Sequence, residues 1–232
     1  MTCKQFLLTL GRGLALLLAV YVPSFALVSA FVASRVGTAG DEGATVAAAI
    51  PLVMAVSLAI ALLLIAGIAG GRFGSFGFRI VGVKPLLLSL GLGVGFGVLL
   101  RWLATALNVQ QSDLPFPGLA GWQLVAFSWL AAPVQEEIIF RGLLQTTLQS
   151  GIPRLITIGS RKLSVAALVA AIMFALVHCA LFGMGAPPGA TAFIVFGTLV
   201  LGVAAGHMRW STGSLVPAVL IHALFNIIGS IY

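Results

Sequence analysis

The sequence predicts an all-α protein, a polytopic membrane bundle of about seven transmembrane helices. Apolar residues make up 60% of the chain and charged residues only 7%, whereas a soluble domain contains about half apolar and a quarter charged residues. The apolar runs are long and unbroken, without the alternation of a barrel strand. Because only helices and closed barrels satisfy the backbone hydrogen bonds in hydrocarbon, this pattern favours helices and excludes a water-soluble fold.

Seven apolar runs are long enough to cross a bilayer, since one crossing takes about 20 helical residues. The first run continues to about Ser34 without a small-residue cleavage site, which indicates a retained span and not a signal peptide. The predicted spans are residues 6–34, 44–69, 85–107, 121–149, 163–183, 190–208 and 214–232.

The connecting segments differ in charge between the two sides of the predicted bundle. One side carries mostly basic residues, and the other carries Arg35 with Asp41 and Glu42, and then Asp113. The positive-inside rule therefore predicts a cytoplasmic N-terminus and an outside C-terminus, which we expect in a prokaryotic plasma membrane. The basic residues of the first side are Lys4, Arg12, Arg72, Arg79, Lys84, Arg154, Arg161, Lys162 and Arg209.

The formal charge of +7 does not predict a nucleic-acid partner. The basic residues are scattered in ones to threes between apolar runs, where they act as orientation signals at a membrane surface. The predicted partner of this surface is the lipid bilayer.

Two adjacent carboxylates, Glu136 and Glu137, stand within the fourth apolar run. A carboxylate at membrane depth costs at least a few kcal/mol, so each one needs a partner or a purpose. On a helix, Glu137 and Arg141 are four residues apart and share a face, so they can form an ion pair. Glu136 points about 100° away from Glu137 and needs a group from another helix, a proton or a water.

Other helices supply candidate partners for Glu136. His178 lies in the fifth predicted span, and His222 and Asn226 share one face of the seventh. A single intramembrane histidine is more often a hydrogen-bonded packing residue, but three helices that offer acid, imidazole and amide groups favour a site. Such a set suits hydrolysis, because a buried glutamate can take a proton from water while imidazole and amide N–H groups stabilise an oxyanion.

Three motifs occur in order on separate apolar runs. EExxxR stands at 136–141, FxxxH at 174–178 and HxxxN at 222–226, and a Thr-Gly-Ser-Leu turn at 212–215 precedes the last motif. Together they resemble the CAAX-protease and bacteriocin-processing family of intramembrane proteases, also called the CPBP or Abi family. The resemblance covers about residues 120–232. It divides one integral membrane unit into three N-terminal spans with their loops at 1–119 and a CPBP-like catalytic core of four spans at 120–232.

The resemblance implies an intramembrane protease that hydrolyses a peptide or a membrane-protein substrate. It implies Glu136 as the water-activating base and His178 as its partner. His222 and Asn226 would then stabilise the oxyanion and orient the substrate. The residues implied as structural support are Glu137, Arg141 and Phe174.

The expected mechanism uses no cofactor, but three alternatives stay open. Glu136, His178 and His222 could bind zinc as a His2Glu site with an open position for water. A proton-coupled transporter would also bury Glu, His and Arg among its helices, although no paired halves or matching broken helices occur in this sequence. The third alternative is a non-catalytic immunity protein that keeps the fold to hold a partner.

Overall fold

Helices form nearly all of the chain that the computed structural model describes, which comprises residues 1–36, 42–109 and 121–229. A short 3₁₀ turn, Phe73–Phe76, follows the second helix. An antiparallel hairpin of β1 (Leu155–Ile158) and β2 (Arg161–Ser164) joins the fourth helix to the fifth. The helices are α1 (Cys3–Val36), α2 (Glu42–Ala69), α3 (Val83–Ala106), α4 (121–151), α5 (Val165–Val177), α6 (Ala180–Gly183), α7 (Pro188–Thr212) and α8 (Val216–Gly229).

Five largely helical apolar stretches of the described residues are long enough to cross a membrane: Cys3–Arg35, Ala49–Ala69, Val83–Ala106, Val165–Gly183 and Pro188–Thr212. Two further predicted spans correspond to α4 and to the shorter apolar helix α8. The predicted all-α membrane bundle is thereby confirmed. Its orientation across the membrane stays a prediction, and residues 230–232 of the last predicted span lie outside the described residues.

The structure differs from the predicted spans around the fifth crossing, which was expected as one helix over 163–183. The hairpin occupies the first residues of that range, and Ser164 caps α5 by accepting a hydrogen bond from Ala167 N at 3.3 Å. The other end is broken, because α5 stops at Val177 and α6 begins only at Ala180. Hydropathy does not predict this break, since the apolar residues continue through it.

The middle of α4 lies at the centre of the bundle, where α1, α2, α5 and α8 surround it. The side chains of Ile139, Phe140, Arg141, Leu143 and Leu144 in α4 are fully buried. Small residues bring other helices close together: a Cβ added at Gly93 in α3 would lie 2.8 Å from Leu224 Cβ in α8. Close packing at small residues is typical of helices in membranes.

Candidate active site

The polar centre of α4 lies between two stretches with π-helical hydrogen bonding, Leu124–Ala131 and Ile138–Leu144. At the end of the first stretch Ala132 N bonds to Phe127 O, five residues back. The next such bond would join residue 133 to Ser128 O, but Pro133 has no N–H. Ser128 O is therefore left without its helical donor. π-bulges of this kind are frequent at functional sites.

Asn226 in α8 supplies the hydrogen-bond donor that Ser128 O lacks because of Pro133. Its Nδ2 donates a hydrogen bond to Ser128 O at 2.9 Å. The bond ties Asn226 to α4 and fixes the direction of its amide. An asparagine amide has a second N–H and a carbonyl oxygen with which to meet other groups.

Glu137 is the fully buried carboxylate of the pair, and one of its oxygens receives two donors. Arg141 Nη1 lies 3.0 Å from Glu137 Oε1, the contact that the four-residue spacing predicts. His222 Nδ1 lies 2.9 Å from the same oxygen. Since a carboxylate accepts, His222 Nδ1 carries a proton and the ring presents Nε2 on its other side.

The Arg141 guanidinium also lies against two uncharged residues, Phe174 and Gly202. Its Cζ lies 4.5 Å from the centre of the Phe174 ring, a cation–π contact. A Cβ added at Gly202 of α7 would lie 3.2 Å from Arg141 Nη2, so this glycine makes room for the side chain. Glu137 and Arg141 therefore neutralise each other in a site that no solvent reaches.

Glu136 is the accessible carboxylate, since its side chain is 24% exposed and that of Glu137 is 0% exposed. Glu136 Oε2 lies 3.7 Å from His222 Nε2. This distance exceeds a direct hydrogen bond, but one water beside the two atoms could bond to both. The two glutamates thus face opposite nitrogens of a single imidazole.

His178 stands at the C-terminus of α5, where the helix ends. Its Nδ1 lies 2.9 Å from Phe174 O, so Nδ1 donates and Nε2 is left as the other ring nitrogen. Its ring packs edge-on against Phe174 at 5.0 Å between centres, and His222 contacts the same Phe174 ring at 5.8 Å. Among the described side chains, no nitrogen of His178 lies within 4.0 Å of an oxygen of either glutamate.

The motifs did not indicate two contacts that the N-terminal helices make with the site. Gln135 Nε2 donates to Ser57 Oγ of α2 at 3.0 Å, and both side chains are buried. Tyr21 of α1 lies 6.3 Å from Phe140 of α4 between ring centres. In the sequence, the only sign of these two contacts is a polar residue inside an apolar run.

The possible zinc ligands do not converge in this structure. Where side chains are described, no group of three His, Cys, Asp or Glu residues is close enough to hold one metal ion. Glu136 and His222 are neighbours, but His178 does not join them at ligand distance. The donor set of the zinc alternative is therefore not assembled.

Comparison with known families agrees with these motifs. The family model described as type II CAAX prenyl endopeptidase Rce1-like matches residues 118–228, which contain Glu136, His178, His222 and Asn226. No curated protein and no solved structure matches the chain.

Proposed function

Since residues 118–228 match the family model of Rce1-like type II CAAX prenyl endopeptidases, we propose that the protein is an intramembrane endopeptidase with a glutamate-activated water. Glu136 is the proposed base. The substrate is a peptide or a segment of another membrane protein that reaches the partly exposed side of Glu136.

The observation that carries the proposal is the position of His222 between the two glutamates. Glu137 Oε1 holds His222 Nδ1 at 2.9 Å, so His222 Nε2 is directed to Glu136 Oε2 at 3.7 Å. A water beside these two atoms would be oriented by both. This arrangement gives a base that solvent reaches and an imidazole that the bundle holds in one orientation.

The proposed mechanism places a proton on His222 Nε2, the ring nitrogen that faces Glu136 Oε2 at 3.7 Å. From this position the Nε2–H group can donate a hydrogen bond to a developing oxyanion.

In the proposed reaction, Glu136 takes a proton from the water as its oxygen attacks the peptide carbonyl carbon. The negative charge moves from Glu136 to the carbonyl oxygen, and in both positions it lies beside the His222 ring. Glu136 then passes the proton to the nitrogen of the leaving amine as the C–N bond breaks. The net charge of the site does not change during these steps.

Asn226 and His178 complete the proposed site. Asn226 is held by its bond to Ser128 O, and its amide would help to bind the oxyanion or orient the substrate. His178 presents Nε2 as an acceptor, and a water would have to link it to Glu136.

The proposal can be tested without knowing the substrate. New peptide N-termini in membranes are compared between cells that produce the wild type and cells that produce Glu136→Gln, a change that keeps the shape of the side chain. We expect a set of cleavages that only the wild type makes. Ser150→Ala, an exposed position at the end of the same helix, is the matched control and retains the cleavages.

Purified protein in liposomes then addresses the substrate class. A farnesylated CAAX peptide and its unmodified form are supplied as probes, together with peptides that span the cleavages found in cells. Cleavage of the cell-derived peptides by the wild type and not by Glu136→Gln supports the assignment. Equal cleavage by both proteins would contradict it.

A further inference from the structure

A pair of arginines at one end of the bundle lies outside the candidate active site. Arg209 is near the end of α7, and Arg79 is in the segment between α2 and α3. Both adjoin the ends of apolar helices that are long enough to cross a bilayer. In a bilayer that these helices cross, this end of the bundle would lie near the phospholipid headgroups.

Arg209 is only 4% exposed, although its guanidinium is charged. Its Nη2 donates to Ser75 O at 2.8 Å and to Thr146 Oγ1 at 3.1 Å. Its Nε has no hydrogen-bond partner among the described atoms. Both acceptors are neutral, so these bonds hold the side chain in place but do not neutralise it.

The Arg209 guanidinium packs against the backbone of Gly77. A Cβ added at Gly77 would lie 2.6 Å from Arg209 Nε, and the glycine has a φ of 95°. A residue with a side chain would be strained there and would displace the guanidinium. Leu215 N also bonds to Gly77 O at 2.9 Å, which joins this segment to the start of α8.

Arg79 brings a second positive charge to the same place. A Cβ added at Gly74 would lie 2.9 Å from Arg79 Nε, and one at Gly213 would lie 3.9 Å from Arg79 Nη1. Its carbonyl oxygen accepts a hydrogen bond from Ser214 Oγ at 2.5 Å, while the side chain is exposed. The charges of Arg79 and Arg209 repel each other.

No carboxylate of the described side chains lies within ion-pair distance of either arginine. Glu136 and Glu137 are occupied in the active site. Glu42 begins α2 and Ala69 ends it, so the two residues stand at opposite ends of a 28-residue helix and are about 40 Å apart. A buried cation next to a second cation therefore lacks a counter-charge from these parts of the chain, and such burial is costly.

We propose that Arg79 and Arg209 form a binding site for a phosphate anion, supplied by the headgroup of an anionic phospholipid. The exposed Arg79 guanidinium can bond two phosphate oxygens, and the buried Arg209 adds a fixed positive charge beside them. Basic pockets between helix ends are a recognised kind of lipid site on the positive side of membrane proteins. The site is independent of the proposed protease activity.

The test measures thermal unfolding and bound lipid for the purified full chain. The wild type, Arg79→Gln and Arg154→Gln are each placed in nanodiscs of phosphatidylcholine alone or with added phosphatidylglycerol. Arg154→Gln is the matched control, because Arg154 is an exposed arginine next to the hairpin at the same end. We expect phosphatidylglycerol to raise the Tm of the wild type and of Arg154→Gln by about 3 °C or more, and to have little effect on Arg79→Gln.

A separate arm adds inorganic phosphate to the phosphatidylcholine samples, with sodium chloride at equal ionic strength as the reference. Stabilisation by phosphatidylglycerol alone, with the lipid retained in native mass spectrometry, assigns the site to a lipid. Stabilisation by inorganic phosphate that also depends on Arg79 supports the same site with a soluble phosphate as its ligand. Absence of stabilisation in both arms overturns the proposal, as does an equal loss in Arg79→Gln and Arg154→Gln.

A charge reversal gives a second measurement that does not need the lipid. Arg79→Glu would place a carboxylate beside Arg209, so we expect its Tm in phosphatidylcholine to exceed that of Arg79→Gln and not to respond to phosphatidylglycerol. A Tm below that of Arg79→Gln would show that a carboxylate beside Arg209 does not stabilise the protein, which would contradict the proposed anion site.

Discussion

The Nδ1 atom of His222 lies 2.9 Å from the Oε1 atom of Glu137, across the contact between α8 and α4. The same carboxylate oxygen accepts from Arg141 at 3.0 Å. Glu137 thus joins two helices while it neutralises a buried guanidinium. Because Nδ1 is held in this way, Nε2 of His222 faces Glu136. His222 therefore links the Glu137–Arg141 pair to the proposed catalytic carboxylate.

Removing one member of the Glu137–Arg141 pair should destabilise the protein strongly. Either Glu137→Ala or Arg141→Ala leaves a buried charge without its partner, and we expect a cost of roughly 3–5 kcal/mol in the free energy of unfolding. Thermal melts in detergent, with Glu136→Ala as the milder reference, measure this effect. If the double change Glu137→Ala with Arg141→Ala were tolerated no better than either single change, the two charges would not be coupled.

Loss of the base or of an imidazole should remove activity without unfolding the protein. We expect Glu136→Gln, His178→Ala and His222→Ala each to lower the cleavage rate by about 100-fold or more, the usual contribution of acid–base groups. His222→Ala should also lower the Tm, because it leaves Glu137 with one donor fewer. Full activity of a purified, folded Glu136→Gln protein would refute the assignment of the base.

The sequence predicts the membrane bundle and the Glu137–Arg141 contact because both depend on short-range patterns. Run length predicts the spans, and a spacing of four residues predicts the ion pair. The break after Val177 could not be predicted, since hydropathy does not distinguish a helix from a turn among apolar residues. The hairpin at 155–164 could not be predicted either, because the basic residues of this segment indicate only a surface loop.

The arrangement around His222 depends on packing between helices that are distant in sequence. The histidine was expected with Asn226 at the oxyanion, and nothing in its own span indicates that Glu137 holds its Nδ1. Tyr21 and Ser57 contact the site from helices without any motif. Such contacts follow from the crossing of helices, which the periodicity of one chain segment does not encode.

Asn226 and Pro133 should be coupled through the carbonyl of Ser128. Asn226→Ala leaves that oxygen without its donor, at a cost of about 1–3 kcal/mol for a buried polar group. Pro133→Ala restores the backbone N–H that the π-helical pattern would direct to Ser128 O. In a double-mutant cycle of thermal melts, Asn226→Ala should therefore cost less in the Pro133→Ala background. Equal costs in both backgrounds would show that the proline does not free this carbonyl.

The predicted orientation places the ends of α2 and α7 and the hairpin in the cytoplasm. Single cysteines at Ser75 and Ser160, introduced after replacement of Cys3 and Cys179, should resist a membrane-impermeant reagent in intact cells and react after lysis. Met184→Cys lies at the opposite end of the bundle, beyond α6, and is 52% exposed, so it should react in intact cells. Labelling in the reverse pattern would invert the topology.

Among the described side chains, the three candidate zinc ligands Glu136, His178 and His222 do not converge on one metal position. His222 lies beside Glu136, but His178 is not within reach of either residue, so a shared metal ion would require His178 to move. Asn226 is a poor zinc ligand but a good donor to an oxyanion. The proposed mechanism then needs only Glu136 as the base in a low-dielectric pocket.

We therefore expect phenanthroline and EDTA to leave the cleavage rate of the purified enzyme unchanged, and elemental analysis to find no stoichiometric metal. Inhibition by phenanthroline but not by its non-chelating isomer, with recovery on adding zinc, would indicate that the helices rearrange to bring His178 beside Glu136 and His222. About one zinc per chain would support the same conclusion. The water would then be activated as a metal hydroxide, and Glu136 would be a ligand and not the base.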